Sequence, residues 1–322
     1  MNPLLIVNPN AGGGKTGRVF AEMRAPIERA LGPVDVVLTE RPRHATEATR
    51  QAALAGRETV VAVGGDGTIH EVVSGIMEAR EQGATATRMG IIPQGTGGDF
   101  RKTLVADGDA SSMEHRLDRY CERIASGRTR HIDVGRFTHG VAGEPGGTDR
   151  AWFINILSIG VGGLVDRYVA ETPKLLGGTV AYFLASARGL LQSEVGVLRC
   201  RIHDGDSVRE EEIRTRSMAI CNGRFFGGGM QVAPAARLDD GRFHVVDLGG
   251  GSRLSFAALS SSIYSGKHLE HPSVRCFNAS RIEIELLNRE AAERFLLDVD
   301  GEPFGRMPID AEVVPGALEV FA

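Results

Sequence analysis

Five consecutive residues, Gly64-Gly65-Asp66-Gly67-Thr68, place glycines, a carboxylate and a hydroxyl at one point of the chain. They follow the apolar run Thr59–Val63 and precede Ile69–Ala79, which has the residue pattern of a helix. A buried strand is therefore predicted to end in a turn small enough for backbone amides to close on an anion. The start of a helix also favours phosphate, and Asp66 stands where it could serve a metal ion. The segment predicts a nucleoside-triphosphate site, against the alternative of a purely structural turn.

Two further glycine-rich turns follow strand-like runs. Asn8–Gly17 comes at the end of Leu4–Asn8, and Pro93–Phe100 comes after Met89–Ile92. Taken singly, the first could be a flexible connector and the second an ordinary loop. The first is not a P-loop, because Pro9 stands where the leading glycine is required. Its match to the dinucleotide fingerprint is weak, because Asn8 to Ala11 intervene between the apolar residues of the strand and the first glycine. Three such turns at strand ends favour one shared site.

The elements that must position these turns alternate between strand and helix. Such alternation predicts a parallel sheet with helices on its faces, whose ligands bind beyond the carboxyl ends of the strands. The predicted strands are Leu4–Asn8, Val34–Thr39, Thr59–Val63 and Met89–Ile92, and the predicted helices are the region from Val19 to Leu31, Ala45–Ala55 and Ile69–Ala79.

From about Ile132 the pattern changes to short β-like runs, which predict a mainly antiparallel second domain. The runs are Arg130–Phe137, Ala151–Ser158, Val197–His203, Arg216–Asn222, Arg242–Asp247, Arg281–Leu287 and Phe295–Val299. The Gly/Pro-rich tract Gly140–Gly147 is predicted to be a long hairpin loop. Helical pieces are expected at about Gly163–Ala170, Gly178–Leu191 and Leu254–Ser262.

Composition narrows the class of protein. A chain of 322 residues suits two domains, and a net charge of −4 argues against a broad nucleic-acid-binding face. Four scattered cysteines without a Cys-x-x-Cys pair suit reduced thiols in a cytosolic protein. No signal peptide is evident, and the most apolar stretch, Leu175–Leu191, is too interrupted to span a bilayer. We expect a soluble cytoplasmic protein that visits the inner face of a membrane.

Motifs along nearly the whole chain resemble one family. Asn8-Pro9-x-Ala11-Gly12, Gly64–Thr68 and Gly95-Thr96-x-x-Asp99-Phe100 occur in the order and spacing of the diacylglycerol kinase catalytic family. The chain most resembles its soluble bacterial lipid kinases, which are relatives of sphingosine and ceramide kinases. Later segments fit as well: Ile132–Gly135, Cys221–Gly223 through Pro234, Arg237–Gly241, and Asp300-Gly301-Glu302-Pro303.

The resemblance implies an α/β domain followed by a β domain. Residues 1–131 would form a Rossmann-like nucleotide-binding domain of the NAD kinase and phosphofructokinase type. Residues 132–306 would form a β-sandwich-like lipid-substrate domain, and a last strand at about 307–322, near Ala317–Phe321, would return to the first domain. The implied activity is ATP- and Mg²⁺-dependent phosphorylation of a hydroxyl on a diacylglycerol-like or sphingoid lipid.

The resemblance also assigns roles to individual residues. Glu302 would be the catalytic base, and Asp66 would act beside it. Asp66, Asp99 and Asp133 would form an acidic network with the catalytic metal, and Asp240 with the carbonyls of Arg237 and Arg242 would hold a structural Mg²⁺. The residues implied to hold ATP are Asn8, Thr39, Gly65, Asp66, Gly67, Thr68, Ile69, His70, Glu71, Gly95, Thr96 and Asp99.

Two positions depart from the family pattern: His70 and Gly98 stand where asparagine is usual. From the residues alone, Glu302 could be a hairpin acid after Asp300-Gly301, and Asp239-Asp240-Gly241 a solvated hairpin. The region from Tyr168 to Leu191 could be a helix packed on the β domain or a surface that meets an acyl chain or membrane.

Rival functions also stay open. They are an NAD kinase-type small-molecule kinase, a non-catalytic nucleotide-binding regulator and, least favoured, a dinucleotide oxidoreductase. The expected partner is a lipid presented at or extracted from a membrane surface, with no nucleic acid and a possible homodimer. The sequence names neither the lipid nor the oligomeric state.

Overall fold

A computed structural model describes residues 1–95, 98–106, 117–141, 146–171 and 188–322. The chain divides into two compact units. Unit 1 comprises Met1–Val134, Leu238–Asp240 and Val314–Ala322, and unit 2 comprises Gly135–Arg237 and Gly241–Val313. The sequence did not predict that Leu238–Asp240 groups with unit 1. The functions assigned to the two domains stay predictions.

Unit 1 is built on a parallel sheet with strand order β2-β1-β3-β4. The end of strand β16 (Arg306–Phe321) adds to this sheet, parallel to β4, through the pair Val320 and Met89. The elements, in chain order, are β1 (Leu4–Val7), α1 (Ala11–Leu31), β2 (Asp35–Leu38), α2 (His44–Leu54), β3 (Thr59–Gly64), α3 (Asp66–Glu81), β4 (Arg88–Pro93), α4 (Asp99–Ala106) and α5 (Leu117–Ala125). The continuous apolar runs of β1 and β3 are almost wholly buried, as expected for strands covered on both faces.

Helix α1 begins earlier than the sequence predicted. The helical pattern starts near Val19, whereas the helix is assigned from Ala11, with Gly12, Gly13 and Gly14 at left-handed φ values of 60°, 68° and 80°. These three residues are not helical in conformation, so the regular helix begins after them. Glycine adopts such angles without the steric cost that a Cβ would add.

Unit 2 is an antiparallel β-sandwich. One sheet pairs β8 with β9 and β13, β13 with the first part of β16, and β5 with β6, while the other has the order β12-β11-β10-β7-β14-β15. The strands are β5 (Thr129–Gly140), β6 (Thr148–Phe153), β7 (Ile156–Gly160), β8 (Gly196–Asp204), β9 (Ser207–Thr215), β10 (Ser217–Cys221), β11 (Phe243–Asp247), β12 (Arg275–Ala279), β13 (Arg281–Leu286), β14 (Leu296–Val299) and β15 (Glu302–Phe304). One apolar core contains residues of both sheets, among them Phe153, Ile220, Phe243 and Ile282.

Within the described ranges, unit 2 also contains the helices α6 (Val161–Glu171) and α7 (Arg253–Ile263), together with 3-10 turns at Lys267–Glu270 and Arg289–Ala291. The predicted helix Gly178–Leu191 lies mostly outside the described residues, although 188–192 are helical. Across the described part of the chain, no helix is both long and apolar enough to cross a bilayer.

The sequence analysis merged two strands of unit 2 and missed three others. The predicted strand Ala151–Ser158 is in fact two strands, because the chain turns at Ile154 and Asn155. Strands β9, β12 and β15 were not predicted. Strands β5 and β6 pair as a hairpin as far as Gly140 and Thr148, and residues 142–145 of the loop predicted over Gly140–Gly147 lie outside the described residues.

Candidate functional site

The second and third glycine turns of unit 1 pack backbone against backbone. A Cβ added to Gly95 would lie 2.6 Å from the Cα of Gly65, a distance that real Cβ atoms essentially never show. The backbone N–H of Gln94 donates to the carbonyl of Gly64 at 2.8 Å. Glycine is therefore required here for close approach, and the turns after β3 and β4 form one continuous backbone surface.

The first glycine turn reaches the same surface. A Cβ on Gly12 would lie 2.8 Å from the carbonyl oxygen of Gln94, and the N–H of Asn8 donates to the carbonyl of Val63 at 3.0 Å. The Asn8 side chain orders its own turn by accepting from the N–H of Asn10 at 3.0 Å. The structure thus brings together the three turns that the sequence analysis expected to share a site.

Asp66 joins the second turn to the start of helix α4. Its carboxylate accepts the N–H of Gly98 at 2.8 Å and those of Asp99 and Phe100 at 3.4 Å. Burial raises the pKa of Asp66 and the charge of Asp99 raises it further, while the three amide hydrogen bonds oppose that rise. Asp66 therefore supplies a cap from a neighbouring helix to the N-terminus of α4, where the dipole favours a negative charge.

Glu71 does the same for helix α2. Its two carboxylate oxygens accept the N–H of Arg43 at 2.9 Å and of Ala45 at 3.0 Å. Arg43 precedes α2 with a left-handed φ of 64°. One helix, α3, thus places two carboxylates on the N-termini of two neighbouring helices. Nothing in the sequence signalled these caps, because the partners are 26 or more residues away.

The other residues predicted to hold ATP lie in or next to this region of unit 1. Thr39 is buried at the end of β2, and its N–H donates to the carbonyl of Val7 at 2.8 Å. Thr68 and Ile69 are buried in the first turn of α3, which also contains Gly67 and His70. Asp99 is buried and paired with Lys102 at 2.8 Å. Thr96 lies outside the described residues.

Glu302 is exposed at the start of β15 in unit 2. It pairs with Val299 across a two-residue loop, Asp300-Gly301, whose φ values of 54° and 91° are both left-handed. Positive φ at both loop positions is the geometry of the tight hairpin that Asp-Gly favours. The backbone of this segment is therefore a tight hairpin. The role of Glu302 as the catalytic base stays a prediction.

Asp300 anchors that hairpin, a role that the sequence analysis did not assign to it. Its buried carboxylate accepts the N–H groups of Ile154 at 3.0 Å, Asn155 at 2.9 Å and Ile156 at 3.0 Å. The neighbouring Asp298 accepts the N–H of Gly301 at 2.9 Å and the hydroxyl of Ser158 at 3.0 Å. The Asp-Gly pair signalled a turn, but no local pattern pointed to partners about 145 residues earlier.

The predicted ligands of the structural Mg²⁺ are divided between the units, since Asp240 belongs to unit 1 while Arg237 and Arg242 belong to unit 2. Arg242 pairs with Asp204 at 3.4 Å. Within unit 1, the buried Asp133 donates its N–H to the carbonyl of Leu238 and accepts the N–H of Gly316 at 2.8 Å. The described residues contain no cluster of three or more His, Cys, Asp or Glu side chains that could hold a metal.

Comparison with known proteins identifies the family. Residues 2–137 match the diacylglycerol kinase catalytic domain, and residues 155–322 match the YegS C-terminal NAD kinase beta sandwich-like domain. The chain is 26% identical over 318 residues to a diacylglycerol kinase of Staphylococcus epidermidis, covering 98% of this chain and 90% of the relative. It is 27% identical over 326 residues to one of Staphylococcus aureus, covering 99% and 91%.

A solved structure shares the fold. The chain superposes on the crystal structure of a diacylglycerol kinase from Bacillus anthracis str. Sterne with a TM-score of 0.69 and 20% identity, over 99% of this chain and 96% of that one. The two domain matches together cover nearly the whole sequence. The chain therefore belongs to the diacylglycerol kinase family, a family of lipid kinases, in the form that joins a diacylglycerol kinase catalytic domain to a YegS C-terminal domain.

Proposed function

We propose that this protein uses ATP and Mg²⁺ to phosphorylate a hydroxyl of a diacylglycerol-like or sphingoid lipid. The observation that carries the proposal is the contact of three glycine turns at the carboxyl ends of parallel strands in unit 1. Ligands of open α/β sheets bind at that edge. The family's lipid kinase activity supplies the class of reaction, and the turns supply a place for the nucleotide.

The residues of the turns fit a polyphosphate. A side chain at Gly12 or Gly95 would collide with neighbouring backbone, and one at Gly65 would press against the Cα of Gly95, so the glycines leave an edge made of main chain that can approach a phosphate closely. Beside that edge, the Thr68 hydroxyl is buried, and no residue in the described ranges hydrogen-bonds to it. A buried hydroxyl without a partner costs free energy, and a phosphate oxygen would satisfy it.

The acidic residues fit an Mg²⁺ that arrives with the nucleotide better than a dedicated metal cage. Such an ion takes one or two protein carboxylates and receives its other ligands from phosphates and water. Asp66 and Asp99 are the carboxylates of unit 1 that suit this role, since the charge of Asp99 already perturbs Asp66. When bound, Mg²⁺ would neutralise charge on the transferred phosphoryl group.

The protein's own chemistry in the proposed reaction is the removal of one proton. As the lipid oxygen bonds to the γ-phosphorus and ADP leaves, the hydroxyl proton passes to a carboxylate oxygen of Glu302. A base in this role typically contributes about 10²–10⁴-fold in rate. The tight Asp300-Gly301 turn and the anchoring of Asp300 hold Glu302 on a rigid hairpin, which suits a positioned base.

The test is transfer of radiolabelled γ-phosphate from ATP, with Mg²⁺, into a mixed lipid extract resolved by chromatography. A labelled lipid is expected, and its mobility would begin to name the substrate. A parallel tube contains NAD. Label on NAD and on no lipid would replace the proposal with the NAD kinase alternative, and label on neither, with tight ATP binding, would favour a regulator.

Matched variants test the role of Glu302. Glu302→Gln keeps the size of the side chain but removes the base, so transfer is expected to fall by about 10²-fold or more while ATP binding is unchanged. Glu290→Gln changes another exposed glutamate of unit 2 and is expected to leave transfer intact. Near-normal turnover of Glu302→Gln would contradict the assignment of the base.

A further inference from the structure

The outer face of helix α7 in unit 2 is uncharged and mostly apolar, where a surface helix is usually charged. Spacings of three and four residues put Leu254, Ala257, Ala258 and Ser261 on one side of the helix, all exposed to solvent. The opposite side buries Phe256, Leu259 and Ile263 in the core. The helix therefore meets the β-sandwich with one apolar face and presents another without charge, contrary to the usual amphipathic pattern.

The two ends of this face carry the largest exposed apolar groups. Leu254 is 85% exposed at the first turn, and Tyr264 is 56% exposed just after the last. Single exposed apolar residues are common and need no explanation, but a contiguous set on one helix marks an interaction surface.

Along the segment that contains the helix, the charged side chains have a single sign. Residues 248–269 contain no Asp or Glu, while Arg253 and Lys267 stand at either end of the helix. A surface segment of this length without an acid would attract a negatively charged partner.

A neighbouring segment of the chain contacts the start of helix α7. Leu191 is 69% exposed, and two residues later the Ser193 carbonyl accepts from Arg253 at 3.0 Å and from Arg216 at 3.1 Å. Within the described part of the chain, the partners of both guanidinium groups are carbonyl and hydroxyl oxygens rather than carboxylates. Burial lowers the pKa of Arg216, and the charge of Arg253 lowers it further. The two like charges lie close together, and among the described residues no carboxylate is bonded to either guanidinium group.

We propose that the outer face of α7, together with Leu191, docks the protein on a membrane surface that contains anionic phospholipids. Leu254, Leu191 and Tyr264 enter the interface between headgroups and acyl chains, and Arg253 and Arg216 lie at the level of the phosphates. The proposal rests on the proposed function to the extent that a lipid kinase must meet its substrate at a bilayer.

The chemistry of the surface favours a bilayer over a protein partner. Apolar side chains beside basic ones, with an aromatic ring at the edge, are the pattern of helices that lie in a membrane interface. Moving a leucine side chain out of water is favourable in free energy, and the amphipathic ring of tyrosine suits the headgroup region. Each basic residue near an anionic surface adds a modest electrostatic attraction.

The experiment is co-sedimentation of the full chain with vesicles of phosphatidylcholine, with and without phosphatidylglycerol. Leu254→Glu is expected to lower the partition coefficient about tenfold or more on both vesicle types, because a charge replaces an inserted leucine. Arg253→Gln is expected to lower it about fivefold on the anionic vesicles alone. Val208→Glu alters another exposed apolar residue of unit 2, 52% exposed on β9, and is expected to leave binding unchanged.

Each other outcome is decisive. Absence of vesicle binding by the unaltered protein, or equal binding by Leu254→Glu, overturns the proposal. Light scattering tests the alternative that this face joins two copies of the chain. If Leu254→Glu dissociates a dimer without changing vesicle binding, the face is a dimer contact and the proposal is wrong. Vesicle binding needs no catalysis, so failure of phosphate transfer to a dispersed short-chain lipid would refute the proposed function and leave the docking result standing.

Discussion

With asparagine in place of Asp300, the β-sandwich should unfold at a lower denaturant concentration. The substitution breaks one of three buried hydrogen bonds and places the new side-chain NH2 group against a backbone N–H. Asparagine has the same shape as aspartate and tolerates the left-handed φ of 54°. Its remaining oxygen can still accept from Asn155 and Ile156, which both bind Oδ1. The new NH2 group then faces the N–H of Ile154, which had donated to Oδ2 at 3.0 Å.

The size of the effect follows from these contacts. A hydrogen bond to a charged group contributes about 1.5–3 kcal/mol, and a buried donor left without a partner costs about 1–3 kcal/mol. Asp300 is only 8% exposed, so water cannot replace the lost acceptor cheaply. We expect the free energy of unfolding to fall by about 3–5 kcal/mol, a large share of the roughly 5–15 kcal/mol of a typical domain.

The single tryptophan offers a local probe. Trp152 is 4% exposed in β6, two residues before Ile154, so its fluorescence follows the unfolding of unit 2. With a urea dependence of about 1–3 kcal/mol per molar, the midpoint should fall by on the order of 1–5 M. Asp206→Asn, at an exposed aspartate of the same unit, should stay within about 0.5 kcal/mol of the parent. Equal midpoints for the two variants would refute this reading of Asp300.

Three further predictions concern unit 1. Glu71→Gln removes one of the two acceptors that cap α2 and should lower the free energy of unfolding by about 1–2 kcal/mol. The control Glu78→Gln loses surface ion pairs at 3.5 Å and should lower it by less than about 1 kcal/mol, as thermal unfolding of both variants would show. Burial raises the pKa of Asp66 in the folded protein above its ordinary value of 3.8. The stability that Asp66 contributes is therefore full below pH 3.8 and is lost as the pH rises through the raised pKa. Urea unfolding at a series of pH values should show a smaller loss of stability for Asp66→Asn than for the parent. Gly95→Ala forces a Cβ onto backbone at 2.6 Å and should weaken ATP binding and lower the melting temperature, a result that calorimetry checks.

The parallel half of the fold was predictable because its signals are local. The apolar runs of β1, β3 and β4 are buried on both faces, and each ends in a glycine turn, so sequence order alone placed three turns at one edge of a sheet. The charged strand β9, Ser207–Thr215, has no such signal: five of its nine residues are Arg or Glu, and only its pairing with β8 makes it a strand. Edge strands are often marked by charge instead of by apolar alternation.

The candidate site was predictable in its glycines and not in its carboxylates. Gly12 and Gly95 are required, and Gly65 is favoured, by backbone contacts that follow from the topology. The role of a carboxylate depends on which donors lie nearby, and those of Glu71 and Asp300 come from distant parts of the chain. Motif spacing identifies such residues as important without distinguishing a ligand of the nucleotide from a cap on a helix.

The return of β16 to unit 1 also constrains the order in which the chain can fold during synthesis. Phe321 belongs to the core of unit 1, and Ala322 donates its N–H to the carbonyl of Arg128 at 3.1 Å. Domains generally fold in the order in which they leave the ribosome. In this chain the sheet of unit 1 is complete only once residues 314–322 have been synthesised, and these follow all of unit 2 in the sequence. Until then β4 lacks a neighbour on one side, and a nascent chain halted before Val314 exposes that edge to chaperones and to pairing with other chains.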